Sequence, residues 1–358
     1  MVKLHHHRSQ VLVLGGGPAG GAAALELAQS GCDVVLLERQ NVPGWKIGET
    51  LPPEARVHLH RLQHWETFRQ EGHLPCHGIV SCWGSSAPVE TDFMRNPYGH
   101  GWQLDRVVFE SSLLKAAAEA SCRVLFGAEV SRVQERSQGW HVETTFGEFD
   151  AEWLLDCSGR NALLSESGFG GSFQSLQDYV SLYCILDPAN GTDKDGRTYV
   201  ESHSSGWAYS ALMPNGSRVV AFLTDRDLIS PEVTPAGWMK QCVSECSQIS
   251  AILNSHEYSS IENVRVVNAA SGWRQHVAGS NWLLVGDAAM TFDPLSGWGS
   301  IKALVSAAMA VKCVLHGDDY QTACDNLWDD YLAKYKDYYR AEQRWCDAPF
   351  WVRRHQNV

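Results

Sequence analysis

The sequence predicts an α/β protein whose parallel sheet is assembled from separated stretches of chain, with a β-rich region inserted between them. Three observations predict it. Residues 10–39, QVLVLGGGPAGGAAALELAQSGCDVVLLER, read as strand, helix and strand, with the apolar run VLVL followed at once by a glycine turn. Two later apolar strands, EWLLD ending at Asp156 and NWLLVGD ending at Asp287, also lead into polar glycine turns. Strand-like runs lie between those two: YVSLYCIL, WAYSALMP and RVVAFLTD. At 358 residues and 44% hydrophobic, the chain can bury a large core and form two lobes.

The opening unit carries the first chemistry. Gly15, Gly17 and Gly20 give G-x-G-x-x-G, and Pro18, Ala19 and Gly20 begin the helix. Glycines there permit a tight turn and a close backbone approach, so a pyrophosphate can sit at the helix N-terminus. Gly31 ends the helix. Glu38 ends the second strand, 18 residues after Gly20 and just before Arg39, where a carboxylate meets the ribose hydroxyls of an adenine dinucleotide. An acid at that position disfavours a 2′-phosphate, so FAD or NAD fits better than NADP.

The segment that follows, GWKIGETLPPEA at 44–55, is rigid, polar and glycine-punctuated, with Lys46, Gly48 and Glu49 ahead of two prolines. Residues 55–75 have helical periodicity, 76–104 read as short strands and loops, and 105–120 form an amphipathic helix. Residues 122–158 alternate like a meander that ends at Asp156, with Gly159 in the turn beyond; the three strand ends that lead into polar glycine turns are expected to meet one ligand, with Asp156 and Gly159 among the cofactor-binding residues. One helix is expected near 235–253, a long helix after the glycine turn at 286, and an aromatic helical segment over 318–350. The division that follows is a discontinuous nucleotide-binding domain (8–75, 101–165 and 266–317), a substrate domain (76–100 and 170–265) and a C-terminal helical segment (318–358).

Composition excludes several functions. A net charge of −12 argues against nucleic-acid binding, and no Lys/Arg run suits a membrane surface. VLVL is too short for a secretory signal, and Lys312 interrupts the longest apolar stretch, so no membrane span is expected. The 11 cysteines are scattered without a CxxC pair, which predicts a reduced, cytoplasmic protein with no metal site. His5 to His7 read as a basic start rather than as ligands. No Ser/His/Asp order or carboxylate pair suggests hydrolysis. The 14 tryptophans are more than usual; most belong to the core, but aromatic side chains also line sites for flat ligands.

Taken together, these motifs resemble the FAD-dependent monooxygenase and halogenase superfamily, which includes p-hydroxybenzoate hydroxylase. The resemblance covers most of the chain. It implies a Rossmann-like FAD-binding domain of that type with an inserted β-sheet substrate domain. It assigns Gly15, Gly17, Gly20 and Glu38 to the ADP half of FAD, and places Arg106 near the phosphate or ribityl region and Val130 at the adenine. Gly286 and Asp287 would hold the ribityl chain, the segment with Lys46 and Gly48 would run beside the isoalloxazine as part of the cofactor site, and the loop containing Pro294, Gly297, Trp298 and Gly299 would face the flavin's pyrimidine edge. KIGETLPP, SGWAYSALMPNG and FDPLSGWGSIKAL are similar to the flavoprotein maturation enzymes of lysine ε-oxidase and glycine oxidase, which are associated with oxygenating a tryptophan of a partner protein. Trp298 stands where that pattern expects glutamine.

The resemblance implies oxygen transfer through a flavin C4a-hydroperoxide to an electron-rich indole. Trp207 and Tyr209, two apart on a strand and therefore on one face, are candidates for an aromatic cleft or for core, and Glu49 is a candidate by position. Halogenation of a small aromatic metabolite is disfavoured. No lysine occurs between Lys46 and Lys115, W-x-W-x-I-P is absent, and PLSG lacks the glutamate of the halogenase loop. A prenyl-chain reductase and a flavoprotein that only chaperones its partner are the other readings. With no second G-x-G-x-x-G, electrons are expected from a separate flavin reductase or from transient NAD(P)H.

Overall fold

The computed structural model describes residues 5–189 and 193–356. Its larger sheet has eight strands. The parallel part runs Trp282–Leu284, Gly147–Asp156, His5–Leu14, Val34–Glu38 and Arg123–Phe126 in that spatial order. Val130–Arg136 and Gly139–Thr144 fold back antiparallel on Gly147–Asp156. The central strands are buried on both faces: Val11–Leu14 and Val34–Leu37 are at most 2% exposed. The helix Pro18–Gln29 lies against this sheet through glycines and alanines; a Cβ at Gly20 would stand 1.9 Å from the Gly15 carbonyl oxygen. Helices Arg106–Glu119 and Gly299–His316 pack on it in turn.

Register decides the function of this sheet. Leu14 pairs beside Leu37 and Asp156, and Asp156 beside Leu284. The carboxyl ends of four parallel strands therefore meet at one edge, where open α/β sheets bind ligands.

The first strand starts earlier than its apolar run. His6 pairs with Asp150 at 2.9 Å and His7 stacks on Phe149, so the polar start is part of the sheet. The expectation of no membrane-length segment also needs correction. Gly299–His316 is long and apolar enough to cross a membrane, with mean hydropathy 1.3 despite its lysines. It is a core helix packed on Pro18–Gln29, which accounts for that composition.

A second sheet of seven strands joins chain from both sides of the Arg106 helix: Arg265–Asn268, Tyr179–Leu186, Arg218–Asp225, Gly206–Leu212, Thr198–His203, Gly78–Cys82 and Val89–Asp92. All neighbours are antiparallel except Thr198–His203 and Gly78–Cys82. Where one helix was expected, two cover it, Pro235–Ser244 and Ser247–Ser255. The break is fixed by buried Glu201, whose Oε1 accepts the Ile249 N–H at 2.6 Å in the first turn of the second helix. The C-terminal helices Tyr320–Ala341 and Pro349–Gln356 close the molecule. Arg354 is buried among Tyr179, Tyr339 and Phe350 and pairs with Asp225 at 2.7 Å, and the Trp351 indole donates to the His203 carbonyl at 2.8 Å.

Candidate cofactor site and the adjoining pocket

At the shared strand edge each glycine has a different role. Gly15 has φ +102°, and a Cβ there would lie 2.6 Å from the Cys157 carbonyl oxygen, so it serves the close packing of neighbouring strand ends. Gly17 is the N-cap of the helix, makes no side-chain cap, and a Cβ on it would meet nothing within 4 Å. Uncapped first-turn N–H groups beside open space form an anion site. Glu38 is pinned at its rim, with Oε2 accepting the Gly16 N–H at 2.6 Å and Oε1 the Gln40 N–H at 2.8 Å. Arg39 is exposed, and Val130 is half-buried at the start of its strand.

The late glycine turn rests on the same helix: a Cβ at Gly286 would come 2.9 Å from the Ala19 Cβ. Asp287 accepts from Lys302 Nζ at 2.5 Å, and Arg160 Nε lies 3.8 Å from its other oxygen. Burial works to raise the Asp287 carboxyl, but the Lys302 and Arg160 charges outweigh it and hold the group below its ordinary value. The Lys302 side chain is wholly buried and also donates to the Met290 carbonyl.

The polar segment after the second strand folds onto the Arg106 helix through a residue the sequence reading passed over. Glu110 is buried and accepts from Arg106 Nη2 at 2.5 Å and from Lys46 Nζ at 2.7 Å. Arg106 also donates to the Gly48 carbonyl at 2.9 Å, above which Gly48 turns with φ +104°. Lys46 is thus the counter-ion of a buried acid rather than a free phosphate ligand, and Arg106 braces the segment from below.

Two further expectations are corrected. Asp156 faces inward: its carboxylate accepts from Ser158 N at 2.9 Å, Ser158 Oγ at 2.5 Å and Leu164 N at 2.8 Å. It shapes the loop that presents Gly159, whose Cβ position is open, and does not face a ligand. Trp207 is core, 1% exposed and edge-on to Trp83 at 6.3 Å, because its side of the strand faces the C-terminal helices. Tyr209 does approach Glu49. Burial first, and the Glu49 charge next, push its phenol well above the usual range. Glu49 is buried and its carboxyl is raised by that burial, against the Glu49 and Gly48 backbone N–H groups and the Arg106 charge.

The loop 292–298 forms one wall of a pocket of about 240 Å³. Asp293, Leu295 and Trp298 contribute from the loop, and Leu327, Tyr335 and Tyr338 from the helix opposite. Glu49, Trp207 and Tyr209 do not line it. Pro294 is exposed at the turn, Gly297 has φ +61°, and neither Gly297 nor Gly299 has a neighbour where a Cβ would stand. Glu110, Arg160, Asp293 and Lys302 were not singled out from the sequence. Glu110 had a signal in its i+4 spacing from Arg106, and Lys302 in being a charge on an otherwise apolar helix face.

The uncapped helix start, the open sides of Gly17, Gly159, Gly297 and Gly299, and an ionised Asp287 fit an adenine dinucleotide with its flavin at the late loop. Comparisons agree. Residues 8–339 match the family described as FAD binding domain. LodB of Marinomonas mediterranea, described as an FAD-dependent oxidoreductase, is 28% identical over 96% of each chain. The flavin-dependent halogenase gsfI of Penicillium aethiopicum is 27% identical over 86% of this chain, which spans 65% of that protein. Among solved structures, the peptidyl tryptophan dihydroxylase QhpG, essential for tryptophylquinone cofactor biogenesis, superposes with TM-score 0.80 at 23% identity, covering 97% of this chain and 78% of QhpG. The chain belongs to the FAD binding domain family and is an FAD-dependent oxidoreductase of the monooxygenase and halogenase superfamily.

Proposed function

We propose that this enzyme is a monooxygenase that hydroxylates the side chain of a tryptophan in a partner polypeptide, as a step in making a tryptophylquinone. The observation that carries the reading is the environment of segment 44–55. On one side it is tied to Glu110 and Arg106; on the other, Trp45 packs on Tyr183 at 5.7 Å and buried Glu49 lies by Tyr209. The segment therefore joins the cofactor edge to the inserted sheet, and its only ammonium is paired with Glu110, which it shares with Arg106. Reduced FAD supplies two electrons for the activation of dioxygen. The chain's part is to bind the cofactor along the strand edge, keep water from it and orient the aromatic ring. End-to-end likeness to LodB supports an FAD-dependent oxidoreductase, and the action of QhpG on peptidyl tryptophan, on the same fold, supports the substrate. The electrons would come from a separate flavin reductase or from NAD(P)H.

Halogenation of a small aromatic is the second reading, favoured by relatives such as gsfI. Against it stands the absence of any lysine from 47 to 114, where the halogenase resemblance calls for one. The test is mass spectrometry of a tryptophan-bearing partner peptide after incubation with the reduced FAD enzyme, isotopically labelled dioxygen and bromide. Labelled oxygen on the indole is expected. Bromine on the ring, or an unmodified peptide, overturns the proposal.

A further inference from the structure

The pocket beside the late loop has a shape and chemistry of its own. Its helix wall is a stripe at helical spacing, Leu327, Tyr331, Lys334, Tyr335 and Tyr338, which lie on one face of Tyr320–Ala341. Opposite it stand Leu295 and Trp298 of the loop, with Lys334 Nζ 5.0 Å from the Trp298 ring centre. The depth is apolar and closed by buried Tyr331 and Tyr335, while Asp330, Lys334 and Tyr338 are exposed at the rim. At about 240 Å³ the space falls below the roughly 300–1,000 Å³ of pockets that enclose a drug-sized ligand. It suits one ring system entering from outside with its remainder left at the rim.

One buried polar group also belongs to this pocket. Asp293, 1% exposed, is held by Leu295 N at 2.9 Å on Oδ1 and Tyr339 Oη at 2.9 Å on Oδ2. Each carboxylate oxygen has two lone-pair positions, so both keep acceptor capacity. No lysine or arginine pairs with it within salt-bridge distance among the described residues. A largely aromatic slot whose lining includes a carboxylate with acceptor capacity left complements indole, which has a flat face and a single N–H donor and no acceptor.

We propose that this pocket seats the indole of the substrate's tryptophyl residue, with Asp293 accepting its N–H and the acidic and basic rim residues Asp330 and Lys334 meeting the polypeptide on either side. This rests on the proposed function for the identity of the substrate, but the seat can be tested by itself. The probe is N-acetyltryptophanamide, titrated calorimetrically into the FAD-loaded protein, alongside labelled-oxygen incorporation into a tryptophan peptide.

Leu327→Trp fills the slot from the helix, and Tyr338→Ala opens its rim; FAD content and melting temperature report whether each variant is folded. Leu327→Trp is expected to weaken the probe at least about tenfold, since it removes the area the ring would bury, and Tyr338→Ala to weaken it less. N-acetyltyrosinamide, whose phenol is a shorter ring, should bind more weakly than the indole probe. Unchanged probe affinity in folded Leu327→Trp and Tyr338→Ala overturns the seat, even if the wild type oxygenates tryptophan. Probe binding lost in Leu327→Trp, with no oxygen incorporated by the wild type, upholds the seat and sinks the proposed function instead. If only Leu327→Trp misfolds, Tyr338→Ala decides.

Discussion

Buried carboxylates occur in two regions of this molecule and are accommodated in opposite ways. In the inserted sheet, Asp193 meets Arg218 at 2.8 Å with both side chains essentially inaccessible, and Asp225 meets Arg354 at 2.7 Å. Near the cofactor edge, Glu49, Asp156 and Asp293 are just as buried, yet their hydrogen bonds come from backbone N–H groups and hydroxyls instead. All three are pushed up by burial, Asp293 to about 6, whereas Asp193 is held below its ordinary value by hydrogen bonds and Arg218 despite its burial. A pair neutralised within the protein is scaffolding. Acids kept on neutral donors leave charge or proton uncommitted, which is how functional edges are recognised. The division has exceptions: at that edge Lys302 and Arg160 keep Asp287 ionised and Glu110 is paired with Arg106 and Lys46, while in the inserted sheet Glu201 rests on the Ile249 N–H and the Ser247 hydroxyl.

The largest effect that distinguishes the regions is expected from Asp193→Ala. It strands Arg218, whose side chain is 0% exposed, without its carboxylate. Breaking such a pair costs about 3–5 kcal/mol, read as a lower urea midpoint, while FAD affinity of the folded fraction stays the same. A loss below about 1 kcal/mol, the worth of an exposed pair, would show that the Asp193 pair is not scaffolding.

Asp293→Asn should act with the opposite sign. Its folded pKa is raised, so its contribution to stability is complete below the unfolded value near 3.8 and disappears as pH rises through about 6. At pH 7 the ionised form is the burdened one, by about 3 kcal/mol for a shift of about two units. The amide carries no charge, and Tyr339 can turn its hydroxyl to accept from the new NH₂ group. The variant is therefore expected to be more stable than wild type at pH 7, with the two converging near pH 4. Equal stability across that range would mean that Asp293 is compensated after all and that the contrast between the regions is false.

What the sequence disclosed follows the same division. The G-x-G-x-x-G turn, Glu38 at its strand end and the glycine of the late turn were legible because each depends on a few neighbouring residues. The ion pair of Lys46 with Glu110 spans 64 positions and could not be read from either end. The inward turn of Asp156 depends on Leu164 closing its loop, so a strand-end acid that looked like a ligand is a loop anchor. Trp207 and Tyr209 share a strand face as expected, but only the packing of Trp83 and the C-terminal helices decides that the first is core.

The smallest of these effects bears on Asp287, whose carboxyl Lys302 and Arg160 hold below its ordinary value while its side chain remains 39% exposed. A charged acceptor facing a ribityl hydroxyl is worth roughly 1.5–3 kcal/mol, so Asp287→Ala should weaken FAD binding by about ten- to a hundredfold in fluorescence titration of the apoprotein. The alanine also leaves the Lys302 ammonium buried without its carboxylate, which would lower the melting temperature of the apoprotein. Asp287→Asn keeps an oxygen for the ribityl chain and separates the two causes. If the affinity loss follows the exposed oxygen, the asparagine variant retains much of its FAD. If it follows the charge that steadies Lys302, the asparagine variant loses FAD nearly as fully as alanine, and the acid's work is electrostatic rather than a direct contact. Unchanged affinity in both would place the cofactor's ribityl chain away from this turn, and the strand edge would then hold FAD through the first glycine loop and Glu38.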